Sequence, residues 1–386
     1  MKVCFETFGC RLNRAEALQD EANLLAKGWV RTESHAEADL IVVRGCSVTQ
    51  RAERDCRKLI DHLRKKYPTK RVSVLGCLKD RDATPPAPDD PTAVPQRTAR
   101  AYLKVQDGCS GGCTFCIVPQ FRGASQSVPF NDVLAKARRF IEAGYREIVV
   151  TGCNLGQYLS EGRRLPELTD ALLRLGAEGN ETCRIRIGSL EPGPTALETV
   201  RVLAEHANAC RFLHVPVQSG SNRVLAAMRR PYFVRDVDML INEAERLMPG
   251  LGLGCDLMTG FPGETDIDFL ATQTFMRRHP FSNAHVFPYS ERPGTAAVKF
   301  GDVVPKEVRR SRAHELADMA EHFRRRQARR FLGRDVEIIV EDDSKLCGWT
   351  SEYFACEATG RALRKACVRV HVATVGTHGT LRGPIV

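Results

Sequence analysis

Asp107-Gly-Cys-Ser-Gly-Gly-Cys-Thr-Phe-Cys-Ile-Val-Pro119 sets Cys109, Cys113 and Cys116 at C-x3-C-x2-C spacing. Three thiolates can hold three irons of a cubic 4Fe–4S cluster and leave the fourth iron open to a small molecule. Clusters that only carry electrons usually take four protein ligands. Gly108, Gly111 and Gly112 let the chain wrap closely round such a group. A structural zinc site takes four Cys/His ligands, often as two C-x2-C pairs; no second pair of that spacing occurs here. Disulfides are not expected, because Met1-Lys-Val-Cys-Phe-Glu6 lacks the charged and apolar regions of a secretory signal.

The cysteine loop follows an apolar strand at 102–106. Further strands are expected at 146–151, 183–188, 211–215, 251–257 and 283–287, with helical patterns at 131–143, 166–176, 195–207, 235–248 and 266–278. Six strand–helix repeats predict a partial (β/α) barrel, whose active-site loops follow the strand carboxyl ends. Five polar, glycine-bearing segments fall at those ends: Val150-Thr-Gly-Cys-Asn-Leu-Gly-Gln-Tyr158, Ile187-Gly-Ser-Leu-Glu-Pro192, His214-Val-Pro-Val-Gln-Ser-Gly-Ser221, Asp256-Leu-Met-Thr-Gly-Phe-Pro-Gly-Glu-Thr265 and Phe287-Pro-Tyr-Ser-Glu-Arg-Pro-Gly-Thr295. Gly152 and Asn154 suit close approach to a small polar ligand. Ser189 and Glu191 suit ribose hydroxyls, which a carboxylate accepts from. His214 reads either as a strand-end core histidine or as a catalytic one.

Upstream, residues 1–80 read as β-α-β-α-β, with strands at 2–6, 39–43 and 71–75 and helices at 14–27 and 48–66. That alternation predicts a parallel sheet. Each strand runs into a Gly-Cys pair: Cys10 in Phe8-Gly-Cys-Arg-Leu-Asn13, Cys46 in Arg44-Gly-Cys-Ser-Val-Thr49 and Cys77 in Leu75-Gly-Cys-Leu78. Parallel strands end on one edge, so these cysteines should converge there as a second three-thiolate set. The alternative is three unrelated buried cysteines. Proline-rich residues 81–100 read as a linker.

The chain has 386 residues, 15 cysteines and a net charge of +10. Its length allows two or three domains. So many cysteines without disulfides favour metal or redox chemistry for some of them. Cys4, Cys56, Cys183, Cys210, Cys255, Cys356 and Cys367 lie in apolar or helical patterns and read as small core or surface residues. No apolar run is long enough to span a membrane, and a cytoplasmic location is expected. The basic balance favours a polyanionic partner such as nucleic acid. A helix at 306–330 carries nine Lys/Arg and reads either as a solvated face or as an RNA-backbone contact. Residues 331–386 alternate in short β-patterns and predict a small antiparallel β-domain. Its Tyr353 and Phe354 are candidates for stacking on bases or for core packing.

Together, Phe8 to Asn13, Gly45 to Thr49, Gly76-Cys77, Asp107 to Gly123 and the five rim segments resemble the radical S-adenosylmethionine methylthiotransferases along the whole chain. The resemblance implies an α/β architecture: a flavodoxin-like N-terminal domain (1–80), a radical barrel (101–330) and an RNA-gripping, TRAM-like β-barrel (331–386). It implies two 4Fe–4S clusters. Cys109, Cys113 and Cys116 would hold the one whose open iron chelates S-adenosylmethionine and generates a 5′-deoxyadenosyl radical. Cys10, Cys46 and Cys77 would hold an auxiliary one linked to sulfur insertion, and a second S-adenosylmethionine would give the methyl group. Gly152, Asn154, Ser189, Glu191, Gln218, Asp256, Gly260 and Arg292 are the rim residues expected against S-adenosylmethionine.

Expected partners are a tRNA anticodon stem-loop, an electron donor such as flavodoxin or ferredoxin, and a sulfur donor. Thr7 to Arg14 and Gly348 to Tyr353 look most like the branch that methylthiolates N6-threonylcarbamoyladenosine beside the anticodon. The isopentenyladenosine and ribosomal-protein aspartate branches stay open. One departure stands out: only 31 residues separate Cys77 from Cys109. The N-terminal sheet should therefore be minimal, or its edge covered by the barrel.

Overall fold

Leu40-Ile-Val-Val43 is a continuous apolar run, the pattern of a strand covered on both faces, and all four side chains are buried. They belong to β3 (Leu40–Gly45), which pairs with β1 (Lys2–Thr7), β2 (Val30–Arg31) and β4 (Arg71–Gly76) in a parallel sheet of order β2-β1-β3-β4. Helix α1 (Arg11–Ala26) covers one face through Leu24 and α2 (Gln50–Lys66) the other through Ile60 and Leu63. The computed structural model describes every residue except 79–80, 83–86, 89, 91, 96 and 180. Among the described residues, no strand of this sheet follows β4. The Asp82 carboxylate instead accepts from Val74 N–H (3.0 Å) and Ser73 Oγ (2.6 Å). The short segment after Cys77 thus leaves a minimal sheet.

The stretch 81–100, expected as a linker, lies partly outside the described residues, Thr84 to Pro86 included. Its described part is not a free tether. Ala87, Ala93 and Ala99 are buried, and Gln19 on α1 donates to the carbonyls of Asp90 and Ala93.

β5 (Ala101–Lys104) begins the second unit. β6 (Gln106–Asp107) pairs antiparallel with β7 (Gln126–Ser127), which closes the cysteine loop and the short α3 (Val118–Arg122) within it. Then follow α4 (Phe130–Glu142), β8 (Glu147–Thr151), the hairpin β9 (Leu159–Ser160) and β10 (Arg163–Arg164), α5 (Leu165–Ala177), β11 (Arg184–Ile187), α6 (Pro194–Glu205) and β12 (Phe212–Gln218). The unit ends with α7 (Asn222–Ala227), α8 (Val234–Leu247), β13 (Gly252–Thr259), α9 (Asp266–Arg278), β14 (Asn283–Pro288) and α10 (Lys306–Ala328).

β5, β8 and β11 form one parallel arc and β12, β13 and β14 another. Parallel bridges Ile185–Ala209 and Ser189–His214 join them. The result is the expected six-stranded partial barrel. α1 packs on its β5 edge and α10 on its β14 edge.

β15 (Asp335–Asp342), β16 (Cys347–Thr350), β17 (Ala355–Thr359), β18 (Cys367–His371), β19 (Thr374–Val375) and β20 (Leu381–Pro384) make a curled sheet of order β18-β15-β16-β17-β20-β19. The bridge Val370–Ile385 brings its far end back to β18. One pairing differs from the antiparallel expectation: β17–β20 is parallel, because the chain crosses through β18 and β19 before returning.

Two sequence alternatives are decided or divided here. Phe354 is fully buried, and Tyr353 is stacked between Phe212 (4.8 Å) and Trp349 (4.6 Å), so neither is presented to a base. On α10, Arg309 and Arg312 are buried against Glu291 and Glu264, while Lys306, Arg310, Arg325 and Arg326, and Arg329 just after it, stay exposed. No helix among the described residues is long and apolar enough to cross a membrane.

Candidate active site

Cys10, Cys46 and Cys77 follow β1, β3 and β4 on the carboxyl edge of the N-terminal sheet, as parallel pairing requires. The Cys46 thiol feels both Cys10 and Cys77 electrostatically. Gly9 makes the approach possible: its φ is +94°, and a Cβ there would stand 2.8 Å from Cys46 Sγ. The Asn13 side chain staples this edge by donating to the carbonyls of Phe8 (2.9 Å) and Gly45 (2.8 Å).

The second triplet sits on the loop between β6 and β7. Buried Gln106 organises it, donating to the carbonyls of Asp107 (2.8 Å) and Gly108 (2.7 Å) and accepting from Asn154 N–H (2.9 Å). Gly108 has φ +65°, and a Cβ there would meet Ala124 O at 2.0 Å. Gly108→Ala is therefore expected to displace the loop and cut bound iron by about half, since backbone strain and a backbone clash coincide; iron and sulfide analysis checks it.

The thiols already receive donors. Gly111 N–H points at Cys109 Sγ (3.3 Å), and Arg230 Nη1 donates to Cys113 Sγ (2.9 Å). Burial pushes Cys116 and Cys46 up to about 11, and raises Cys113 and Cys77 against the pull of Arg230 and Arg122. Such thiols ionise when a metal ion binds them. Among the described residues, all 15 cysteines are free. Two converging three-thiol sets, each with N–H donors aimed at sulfur, fit three-iron ligation of a cubic cluster.

Arg122, on α3 in the loop of the second triplet, reaches the first set. It donates to Cys77 Sγ (3.0 Å), Asn13 Oδ1 (2.7 Å), Asp107 Oδ1 (2.9 Å) and Glu16 (3.0 and 3.1 Å). Cys153 lies beside it, its Sγ 3.6 Å from Asp107 and within electrostatic reach of Cys10. Arg122→Met is expected to lower the reduction potential of a cluster held by Cys77, because an N–H···S bond to a ligand favours the reduced state. Folding should survive, since Lys104 still neutralises Glu16 and Asp107 at 2.6 Å each. An EPR-monitored redox titration checks this; an unchanged potential refutes it.

The rim candidates divide. Asn154 donates to Glu191 (2.5 Å), and Glu191 pairs with Arg230, so both reach the Cys113 side of the triplet. Gly152 abuts Gln106. Gln218 is buried at φ +67° with no hydrogen bond to its Oε1, a strained, polar group open to a ligand donor. Ser189 and Asp256 meet elsewhere in the barrel, round His214 and His285. Gly260 and Arg292 are tied to carboxylates: Gly260 N–H donates to Glu264 (2.8 Å), and Arg292 pairs with Glu53 on α2. The sequence reading had assigned no role to Arg122, Arg230, Gln106 or Asn13. Only Arg122 and Asn13 carried a hint, lying inside quoted cysteine segments.

Comparison with known proteins identifies relatives along most of the chain. Residues 103–276 match the radical SAM superfamily, and residues 2–91 match a family described as uncharacterized protein family UPF0004. Threonylcarbamoyladenosine tRNA methylthiotransferase MtaB of Bacillus subtilis is 31% identical, over 91% of this chain and 89% of that one. The tRNA-2-methylthio-N(6)-dimethylallyladenosine synthase of Chlorobium limicola is 32% identical, over 89% and 87%. In fold, the chain is similar to the radical S-adenosylmethionine methyltransferase TsrM of Kitasatospora setae, with TM-score 0.55 and 13% identity over 77% of this chain and 76% of that one.

Proposed function

This chain belongs to the radical S-adenosylmethionine methylthiotransferases, and we propose that within them it adds a methylthio group to C2 of N6-threonylcarbamoyladenosine beside the tRNA anticodon. The observation that supports the activity is that Arg122, in the loop that carries the Cys109 triplet, donates to Cys77 Sγ of the other three-thiol set. Cys109, Cys113 and Cys116 would hold one 4Fe–4S cluster, and Cys10, Cys46 and Cys77 the other. An adenine C–H bond is out of reach of acid–base chemistry; a reduced cluster with S-adenosylmethionine supplies its homolysis, and the auxiliary cluster supplies sulfur.

The chain's own residues bind, orient and tune. Arg230 stabilises the Cys113 thiolate and holds Glu191, which with Asn154 forms the polar wall beside the triplet. Gly152 permits close approach there, and Gln218 offers its free Oε1. Gln106 locks the cysteine loop to the Asn154 loop. The exposed basic side chains of α10 and the net charge of +10 suit an RNA backbone. An anticodon loop is single-stranded, so its base can enter a pocket. An electron donor and a sulfur donor complete the partners this chemistry needs.

The test is anaerobic incubation of cluster-loaded protein with S-adenosylmethionine, a reductant and tRNA bearing either candidate nucleoside. The expected product is 2-methylthio-N6-threonylcarbamoyladenosine. Product only from the dimethylallyl nucleoside would replace the substrate, and none from either would end the proposal.

A further inference from the structure

Leu213, Val215 and Val217 of β12 pack into the helix-covered core, so Phe212 and His214 face the barrel lumen. A polar row crosses that lumen from Ser189, just after β11, over β12 and β13 to β14. Ser189 Oγ meets His214 Nδ1 (2.9 Å); His214 Nε2 faces Asp256 Oδ1 (3.7 Å), and His285 Nδ1 faces the same oxygen (3.4 Å). Tyr353 enters from the curled sheet and stacks on Phe212.

Arg11 reaches into this space from the first residue of α1. Its guanidinium carbon is 5.1 Å from the centre of the Tyr353 ring, and its charge is felt by His214 and Asp256. Asp256 is already shared by two histidines. No carboxylate ion-pairs with Arg11 among the described residues. The surrounding guanidiniums are in surplus: Arg11, Arg100, Arg184 and Arg186 stand against Glu147, Glu341 and Asp256. Arg11 is also the residue next to Cys10, one of the three cysteines assigned to the auxiliary cluster.

The two candidate nucleosides differ in the N6 substituent. Threonylcarbamoyl ends in a free carboxylate; dimethylallyl is hydrocarbon. A guanidinium without an anionic partner gains nothing from a hydrocarbon and stays desolvated beside it. A carboxylate offers it a charge-assisted, potentially bidentate pair. We propose that Arg11 reads the N6 substituent by pairing with the threonyl carboxylate, and so makes this site selective for a carboxylate-bearing nucleoside. The assignment rests on the substrate proposed above.

The probes are anticodon stem-loops carrying N6-threonylcarbamoyladenosine, its methyl ester or N6-dimethylallyladenosine, bound to cluster-loaded protein and followed by fluorescence anisotropy. Wild type should prefer the free acid over the ester by about 10- to 100-fold, the range for a hydrogen-bonded charge pair. Arg11→Met should lose that preference with iron and sulfide content unchanged, and Arg11→Lys should keep part of it. Wild type without an acid preference, or Arg11→Met that retains it with clusters intact, overturns the assignment. Methylthiolation assays separate the two failures. If wild type modifies the threonylcarbamoyl nucleoside and Arg11→Met still prefers the acid, only the Arg11 role is wrong. If wild type modifies only the dimethylallyl nucleoside, the substrate is wrong and the Arg11 role falls with it.

Discussion

Cys46→Ala is expected to abolish methylthio transfer while leaving reductive cleavage of S-adenosylmethionine measurable. Cys46 is almost fully buried where β3 ends, in contact with Gly9 and within electrostatic reach of Cys10 and Cys77. Two thiolates cannot hold a cubic cluster that is designed for three, so about half the iron and sulfide should be lost. The triplet on the β6–β7 loop keeps its own supports: Gln106, Arg230 and the antiparallel β6–β7 pair. Cys113→Ala should give the complementary result, with cleavage of S-adenosylmethionine lost to below detection and the other cluster's spectrum retained. Iron analysis, EPR of the reduced protein and a 5′-deoxyadenosine assay distinguish the two. Loss of both activities in Cys46→Ala would mean that the two sets are not separate sites.

Glu147→Ala should destabilise the fold by about 3–5 kcal/mol, the cost of breaking a buried ion pair from one side. Glu147 opens β8 and has no exposed surface. Its oxygens accept from Arg184 Nε (2.6 Å) and Arg186 Nε (2.8 Å), with Arg100 at 3.5 Å. Burial would raise its pKa, but the three guanidiniums hold it well below the usual carboxylate range. Two of them also clasp the curled sheet: Arg184 donates to Trp349 O (2.7 Å), and Arg186 to Thr350 O and Ser351 O (2.9 Å each). Removing the carboxylate leaves buried like charges facing each other and loosens the β16–β17 turn against the barrel. Denaturant unfolding measures the loss; a change below about 1 kcal/mol would contradict the account.

Spacing made the barrel legible. Each predicted barrel strand lies within three residues of an observed one at both ends, because parallel strands covered by helices must be apolar runs cut by polar loops. Convergence of Cys10, Cys46 and Cys77 was legible for a topological reason, since parallel strands share an edge. Helix α1 was harder to read. It begins at Arg11, three residues before the expected start, because extended Cys10 precedes it without a side-chain cap. Its faces are hardly amphipathic, since Asp20 and Glu21 are buried in ion pairs with Arg44 and Arg31 between the sheet and the barrel.

Ligand-tuning contacts were invisible for a different reason. Arg230 reaches Cys113 from beyond α7, and nothing in the local pattern marks so distant a pairing. For Tyr353 the sequence left base stacking and core packing open, and tertiary stacking on Phe212 and Trp349 decides for packing.

The most direct measurement is mass spectrometry of tRNA nucleosides from cells with and without this gene. Loss of 2-methylthio-N6-threonylcarbamoyladenosine in the deletion, with its unthiolated precursor accumulating and re-expression restoring it, is the result expected. Unchanged levels of every methylthio nucleoside would contradict tRNA methylthiolation by this chain.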